Sequence, residues 1–444
     1  MERRLVSLLT VVSIISIVAF VSCKNDEAPI IKITTNPKAN IFVSEGGIND
    51  SISVKASVTD EATLSYQWYT NTSESVKGSV AIKGSTSDTY IIPDTLTVGF
   101  YYYYCEISAT GGAISVISNV ATITVTDGSP TYPFIVDSNE TLRKVGTNID
   151  GWAPDKQYQQ IKNIVLDTTT EWTPIGTDEN KFTGLYDGGG YSVSNISISS
   201  ATTNFQGMFG YVGTGGALIN IALKDVNINA TTDFVGGIAG HNNGMIENCY
   251  VTGYVKGGET VGGITGYNEG EIKNCYTNCD VTGSGSYIGG IAGLNHIGSN
   301  ISVCYATGII AGADWVGGIV GQNSGAVDRC VALNKEISAT SATGKIGRVA
   351  NYDESSTLTN NFARAEGMML NVNGDEVDPE ETTLTGKDGE SVEAEYTHGA
   401  NSLEWWSAGR DDSLWSFANS RLPWLKTTIT GDNFSEPQNP TVRN

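Results

Sequence analysis

The chain has 444 residues, with 26 Lys and Arg against 48 Asp and Glu, for a formal charge of −22. So acidic a body cannot neutralise phosphates in number, which excludes nucleic acid as a partner. Gly supplies 52 residues, set among β-branched residues rather than in polar low-complexity runs, which argues for tight turns and against disorder.

At the N-terminus, Arg3 and Arg4 precede an apolar run over residues 5–21 that ends at Ser22 and Cys23. The run is short for a bilayer span, which needs about 20 apolar residues, and its order is that of a secretory signal. Residues 20–23, Phe-Val-Ser-Cys, resemble a bacterial lipobox with Phe in place of the usual Leu. The resemblance implies cleavage after Ser22 and lipidation of Cys23. Lys24, Asn25, Asp26 and Glu27 are similar to the acidic tag of Bacteroidetes lipoproteins carried on the outer face of the outer membrane. A signal peptide over 1–22 and a lipidated tether over 23–27 are therefore expected, with the body outside the cell and tied to the membrane by lipid. Removing residues 1–22 takes away two Arg and one Glu and leaves a charge of −23.

Residues 28–127 read as about seven short strands between turn signals, among them SISVKASV, SYQWY, YYYYCEIS and NVATITV. They resemble a bacterial immunoglobulin-like sandwich, with Trp68 at the inner position of its third strand and Tyr103 two residues before Cys105. The partner cysteine is missing, because the SISVKASV strand offers Val54 and Ala56 there, so the domain must rely on its apolar core. Such domains act as spacers. A turn-rich linker near residues 126–130 ends it.

The next region repeats itself. VGGIAGHNNGMIENCYVTG, VGGITGYNEGEIKNCYTNC, IGGIAGLNHIGSNISVCYATG and VGGIVGQNSGAVDRCVALN begin at Val235, Val261, Ile288 and Val316, with periods of 26, 27 and 28 residues. A looser copy starts at Ile346, and a degenerate one surrounds Gln206 and Gly210. Units of this length, rich in Val, Ile, Thr and Gly and without helical spacing, read as short strands stacked turn on turn in a parallel β-helix. One unit cannot bury its own apolar face, whereas stacking pairs strand with strand and makes a continuous core.

These repeats resemble the GLUG motif of bacterial surface proteins, matched by GIAGHN, GITGYN, GIAGLN and GIVGQN. Residues 172–198 resemble the entry turns found before such repeats, and Leu422, Pro423, Trp424, Leu425 and Lys426 resemble their usual end. This resemblance covers about residues 131–426, and with the immunoglobulin-like one it implies an all-β chain: the sandwich, then a right-handed parallel β-helix over 131–365 and a C-terminal cap over 366–430, with a tail over 431–444. It carries a surface location but no single activity. Some family members are metallopeptidases, which need a zinc site such as H-E-x-x-H. His241, His296 and His398 are not so placed.

Like positions in the repeats predict columns. Asn242, Asn268, Asn295 and Asn323 form one, read as a turn column because Asn tolerates left-handed backbone and bonds its own main chain. Cys249, Cys275, Cys304 and Cys330 form another, read as small buried hydrophobes with free thiols, since metal binding would need converging thiolates. Cys279 and Cys105 stand apart from it. Two residues before each column cysteine, Glu247, Lys273, Ser302 and Asp328 read as charge alternation between turns. The Asp187-Gly188-Gly189-Gly190 run reads as a turn, and His241 as a variable turn residue. No catalytic constellation, metal site or cofactor is expected.

Aromatic residues offer the candidate binding site. Phe234, Tyr287 and Trp315 each precede the opening apolar residue of a unit, with Thr260 in the fourth such place, and alternation points them outward. Tyr287 and Trp315 are expected about 4.8 Å apart on adjacent turns. Tyr250, Tyr276 and Tyr305 form a second outward stripe, and Trp405, Trp406, Trp415 and Trp424 a cap. The expected protein is a monomeric adhesin or glycan-binding lipoprotein whose partner is a glycan or a surface protein. The competing readings are a β-helix polysaccharide lyase or glycoside hydrolase, marked by a carboxylate cluster with a basic neighbour, and a purely structural spacer.

Overall fold

The structure is a computed structural model that describes residues 28–353 and 355–392 and the short strands Trp415–Ser416 and Trp424–Leu425. The signal run, Cys23, the acidic tag, His398, Trp405, Trp406 and the tail lie outside the described residues. The chain forms two compact units. Residues 28–41, 50–92 and 101–123 belong to the first, and 42–49, 93–100 and 124 onward to the second.

The first unit is built from antiparallel pairs. Ile31–Thr35 pairs with Lys55–Val58, Ser51–Ser53 with Thr89–Ile91, and Leu64–Asn71 with Gly99–Ala109. In that last pair Trp68 lies opposite Cys105. Both are fully buried, beside Ile52, Val54 and Ile107. The indole nitrogen of Trp68 donates to the Ser87 carbonyl at 2.8 Å, so its polar atom is satisfied inside an apolar core. Burial pushes the Cys105 thiol up to about 11.

The second unit is a parallel solenoid of about nine turns. Its nine-stranded sheet runs from Phe134–Val136 to Thr357–Thr359, one strand per turn. A typical turn continues from there into a fourteen-stranded, a five-stranded and a six-stranded sheet, as in Met245–Glu247, Tyr250–Gly257, Val261–Gly262 and Thr265–Asn268. The register is unbroken along the repeats: Ile246 lies over Ile272, then Ile301, then Val327, all fully buried. Parallel pairing carries on to Met369–Val372 and Glu390–Val392. At the other end Phe134, Trp152 and Tyr158 pack ring on ring, with Phe134 and Trp152 stacked at 4.7 Å.

Two columns hold the turns in step. The column cysteines are free and fully buried, and desolvation pushes the Cys275 and Cys304 thiols well up. The Asn column is a ladder: the side-chain amide of Asn242 donates to Asn268 at 2.8 Å, Asn268 to Asn295 at 2.8 Å and Asn295 to Asn323 at 2.7 Å. All four are fully buried. The column is structural, but its expected left-handed backbone lies elsewhere. Positive φ belongs to the residue before each column cysteine, at Asn248 (56°), Asn274 (53°), Val303 (57°) and Arg329 (51°). There the chain turns between two sheets, and a short polar residue tolerates that backbone best.

The glycines after each opening residue answer to space. A Cβ on Gly262 would come within 2.1 Å of the Thr265 carbonyl oxygen, and one on Gly289 within 2.0 Å of the Ala292 carbonyl oxygen. No side chain fits where the chain folds back on its own next strand.

Candidate ligand-binding flank of the solenoid

A second corner precedes the five-stranded sheet. The register that pairs Gln206 with Val235, and then Val261, Ile288, Val316 and Ile346 in succession, aligns Phe205, Phe234, Thr260, Tyr287, Trp315 and Lys345 one residue earlier. Phe205, Phe234, Thr260, Tyr287 and Trp315 all have positive φ, between 52° and 66°. For bulky side chains that conformation costs about 1–2 kcal/mol each. The corner before the column cysteines uses the cheaper Asn in two of four repeats, at Asn248 and Asn274, whereas this corner places rings in four of its five left-handed positions.

Phe234, Tyr287 and Trp315 are each half-buried, and the structure does not bring all three together. Phe234 stacks on Phe205 at 5.1 Å with planes 17° apart. Thr260, only 4% exposed, then interrupts the column. Tyr287 and Trp315 resume it, with centroids 6.2 Å apart and tilted by 51°, wider than the spacing between strands. On the next turn the Lys345 ammonium sits 3.7 Å from the Trp315 ring centre, a cation–π contact.

A group on the neighbouring six-stranded sheet went unrecognised in the sequence. His241 is stacked on Tyr211 at 4.1 Å and meets Tyr267 edge-on at 4.8 Å, while Lys181 caps Tyr211 at 4.2 Å. Tyr267 also reaches Phe234 at 5.9 Å, so this cluster and the Phe205–Phe234 stack form one aromatic surface. The Nε2 of His241 lies 3.0 Å from Glu269 Oε2. Burial holds the imidazole below its usual value, Glu269 opposes that, and the Lys181 charge adds to it. His241 is thus a packed member of a ring ladder rather than a variable turn residue. The available signal was register: Tyr211 and Tyr267 flank it on adjacent turns, but Tyr211 lies in the degenerate copy where no repeat could be aligned.

The second stripe is not exposed. Tyr250, Tyr276 and Tyr305 are at most 1% exposed and stack at 4.9 Å with planes within 10°. Alternation gives the direction of a side chain but not what lies over it, and these rings use their faces on each other. The remaining polar candidates are structural. Glu247 pairs with Lys273 at 3.7 Å, and Asp187 accepts from the Gly189 N–H at 2.8 Å, which closes its own turn, and from Asn220 of the next turn at 2.9 Å.

Residues 235–256 match the family described as the GLUG motif. Halomucin of Haloquadratum walsbyi is 29% identical over 210 residues, 45% of this chain but 2% of that protein. A putative Gly-rich membrane protein of Evansella cellulosilytica is 28% identical over 133 residues, 28% of this chain and 15% of that protein. The chain thus matches only a small part of these curated relatives. Among solved structures, pectate lyase PelI from Erwinia chrysanthemi and pectate lyase Pel3 from Pectobacterium carotovorum are 11% and 10% identical. Each covers 83% of this chain and all of its own, at TM-scores of 0.15 and 0.18, too low to carry over an activity or a site. Motif and architecture agree: the chain is a β-solenoid protein that contains the GLUG motif.

Proposed function

We propose that this is a surface lipoprotein, anchored to the outer membrane through Cys23 and facing outward, that binds a glycan through the aromatic flank of its solenoid. The segment 28–127, which contains the first compact unit, serves as an immunoglobulin-like spacer, a reading supported by the buried Trp68 opposite Cys105. The observation that carries the proposal is the corner of Phe205, Phe234, Tyr287 and Trp315, where half-exposed rings sit in backbone that glycine or asparagine would adopt at less cost. Energy stored in unfavourable backbone persists where the surrounding structure enforces it and concentrates at binding surfaces. A ring presents an apolar body that suits a sugar face. The relatives named for mucin and membrane are consistent with a surface role.

The test is an array of glycans and matrix proteins probed with the full chain. Binding to a carbohydrate class, competed by the free sugar, is expected. Uniform silence across the array, or binding to proteins alone, contradicts the glycan reading.

A further inference from the structure

At the far end of the aromatic corner, the solenoid wall and residues 377–388 enclose a cleft of about 500 Å³. Its floor is apolar, with Ile346 and Leu370 buried and Val377 partly so. Trp315 and Tyr352 form its aromatic edges, and Tyr352 is 40% exposed. Its polar lining is unequal in charge: Asp378, Glu380, Glu381 and Asp388 face two cations, Lys345 and Lys387. Lys387 is engaged by Glu380 at 2.6 Å, and Asp388 by the N–H groups of Arg348, Glu380 and Glu381. Asp378 is exposed on the rim, as is Glu381, which accepts the Tyr352 hydroxyl at 2.6 Å.

Lys345 shows what the aromatic edge favours. It occupies the column position where earlier turns place rings, and its ammonium covers Trp315 at 3.7 Å. A cation over an indole is attracted by the ring quadrupole, and nearby carboxylates add to the pull. We infer that this cleft binds an extended segment of a partner protein in which an apolar side chain sits beside a lysine or arginine, the partner's cation displacing Lys345 from Trp315. The apolar floor takes the hydrophobic side chain, and Glu381 with Asp378 takes the charge. An anionic ligand would meet a lining with two more carboxylates than ammoniums. The inference shares Trp315 and the Lys345 that covers it with the glycan-binding flank, and the two variants that decide it leave Trp315 in place.

The experiment is a fluorescence-anisotropy titration of the full chain with a short peptide alternating lysine and leucine, against the same peptide with glutamate for lysine, at about 50 mM salt. The lysine peptide should bind and the glutamate peptide should not. Glu381→Gln should weaken binding about fivefold, and Lys345→Met should tighten it about threefold by freeing the ring. Glu140→Gln, on an exposed residue remote in sequence, should leave it unchanged. Equal weakening by Glu381→Gln and Glu140→Gln would reduce the effect to general attraction by an acidic chain and overturn the proposal. So would absence of binding, or weaker binding by Lys345→Met together with capture of the glutamate peptide, which would make the cleft an anion site.

Discussion

His241 illustrates how one residue's setting outweighs its type. Its ring is 7% exposed between Tyr211 and Tyr267, and its value lies below the ordinary 6.5 chiefly because burial penalises the charged form. A histidine whose value falls on folding binds its proton more readily in the unfolded chain. Its contribution is therefore complete above 6.5 and lost as the pH falls below it. The melting temperature should fall as the pH drops below about 6.5, and His241→Gln should flatten that fall. Identical slopes for the two proteins would show that the imidazole titrates as it does in the unfolded chain. The aromatic residues at positive φ teach a related lesson. Their positions in the repeat were legible, but the backbone that holds them was not, because nothing in a Phe or Trp announces a left-handed conformation.

At the scale of the element, the repeat made the turn legible and left its lateral packing hidden. The spacing of Asn and Cys implied columns, and the ladder from Asn242 to Asn323 and the buried thiols follow from stacking like on like. Alternation failed at Tyr250, Tyr276 and Tyr305, since the strand's own pattern does not record whether a face is buried. The motif's glycines have a sharper test. A methyl on Gly262 would meet the Thr265 carbonyl oxygen at 2.1 Å, an approach that only backbone movement could relieve. Gly262→Ala should therefore destabilise the solenoid by several kcal/mol, whereas Gly298→Ala, in open space at φ +84°, should cost about 1–2 kcal/mol. Equal losses in denaturant titrations would mean that the motif glycines serve turn flexibility rather than close approach.

For the whole molecule, location and binding are separate claims. The solenoid was legible because its signal recurs at each turn, and periodicity survives the loss of any one residue. The proposed binding flank was legible only in part: Phe234, Tyr287 and Trp315 could be named from the register, whereas Phe205 and Tyr211 lie in the degenerate copy, and the ladder of Tyr211, His241 and Tyr267 meets the Phe234 column only through the lateral Tyr267–Phe234 contact. The proposed location rests on lipidation of Cys23. Cys23→Ala should release the protein from membranes into the soluble fraction, and protease added to intact cells should degrade the wild-type chain. A Cys23→Ala protein that stays in the membrane would mean that the apolar run at 5–21 itself is the anchor.

The binding claim turns on the Tyr287 and Trp315 pair, and the most direct measurement is the affinity of the double variant Tyr287→Ala, Trp315→Ala for the glycan that the array identifies. Stacking of a planar base on a protein ring is worth about 1–3 kcal/mol per contact, and sugar stacking is taken as similar in order. A loss of about 1.4 kcal/mol is tenfold in affinity. The account predicts at least about tenfold weaker binding with a melting temperature within about 3 °C of the wild type, because both rings are partly solvent-facing. A double variant that melts many degrees lower and binds its glycan as tightly as before would contradict it: the rings would then be packing residues, and the site would lie elsewhere on the solenoid.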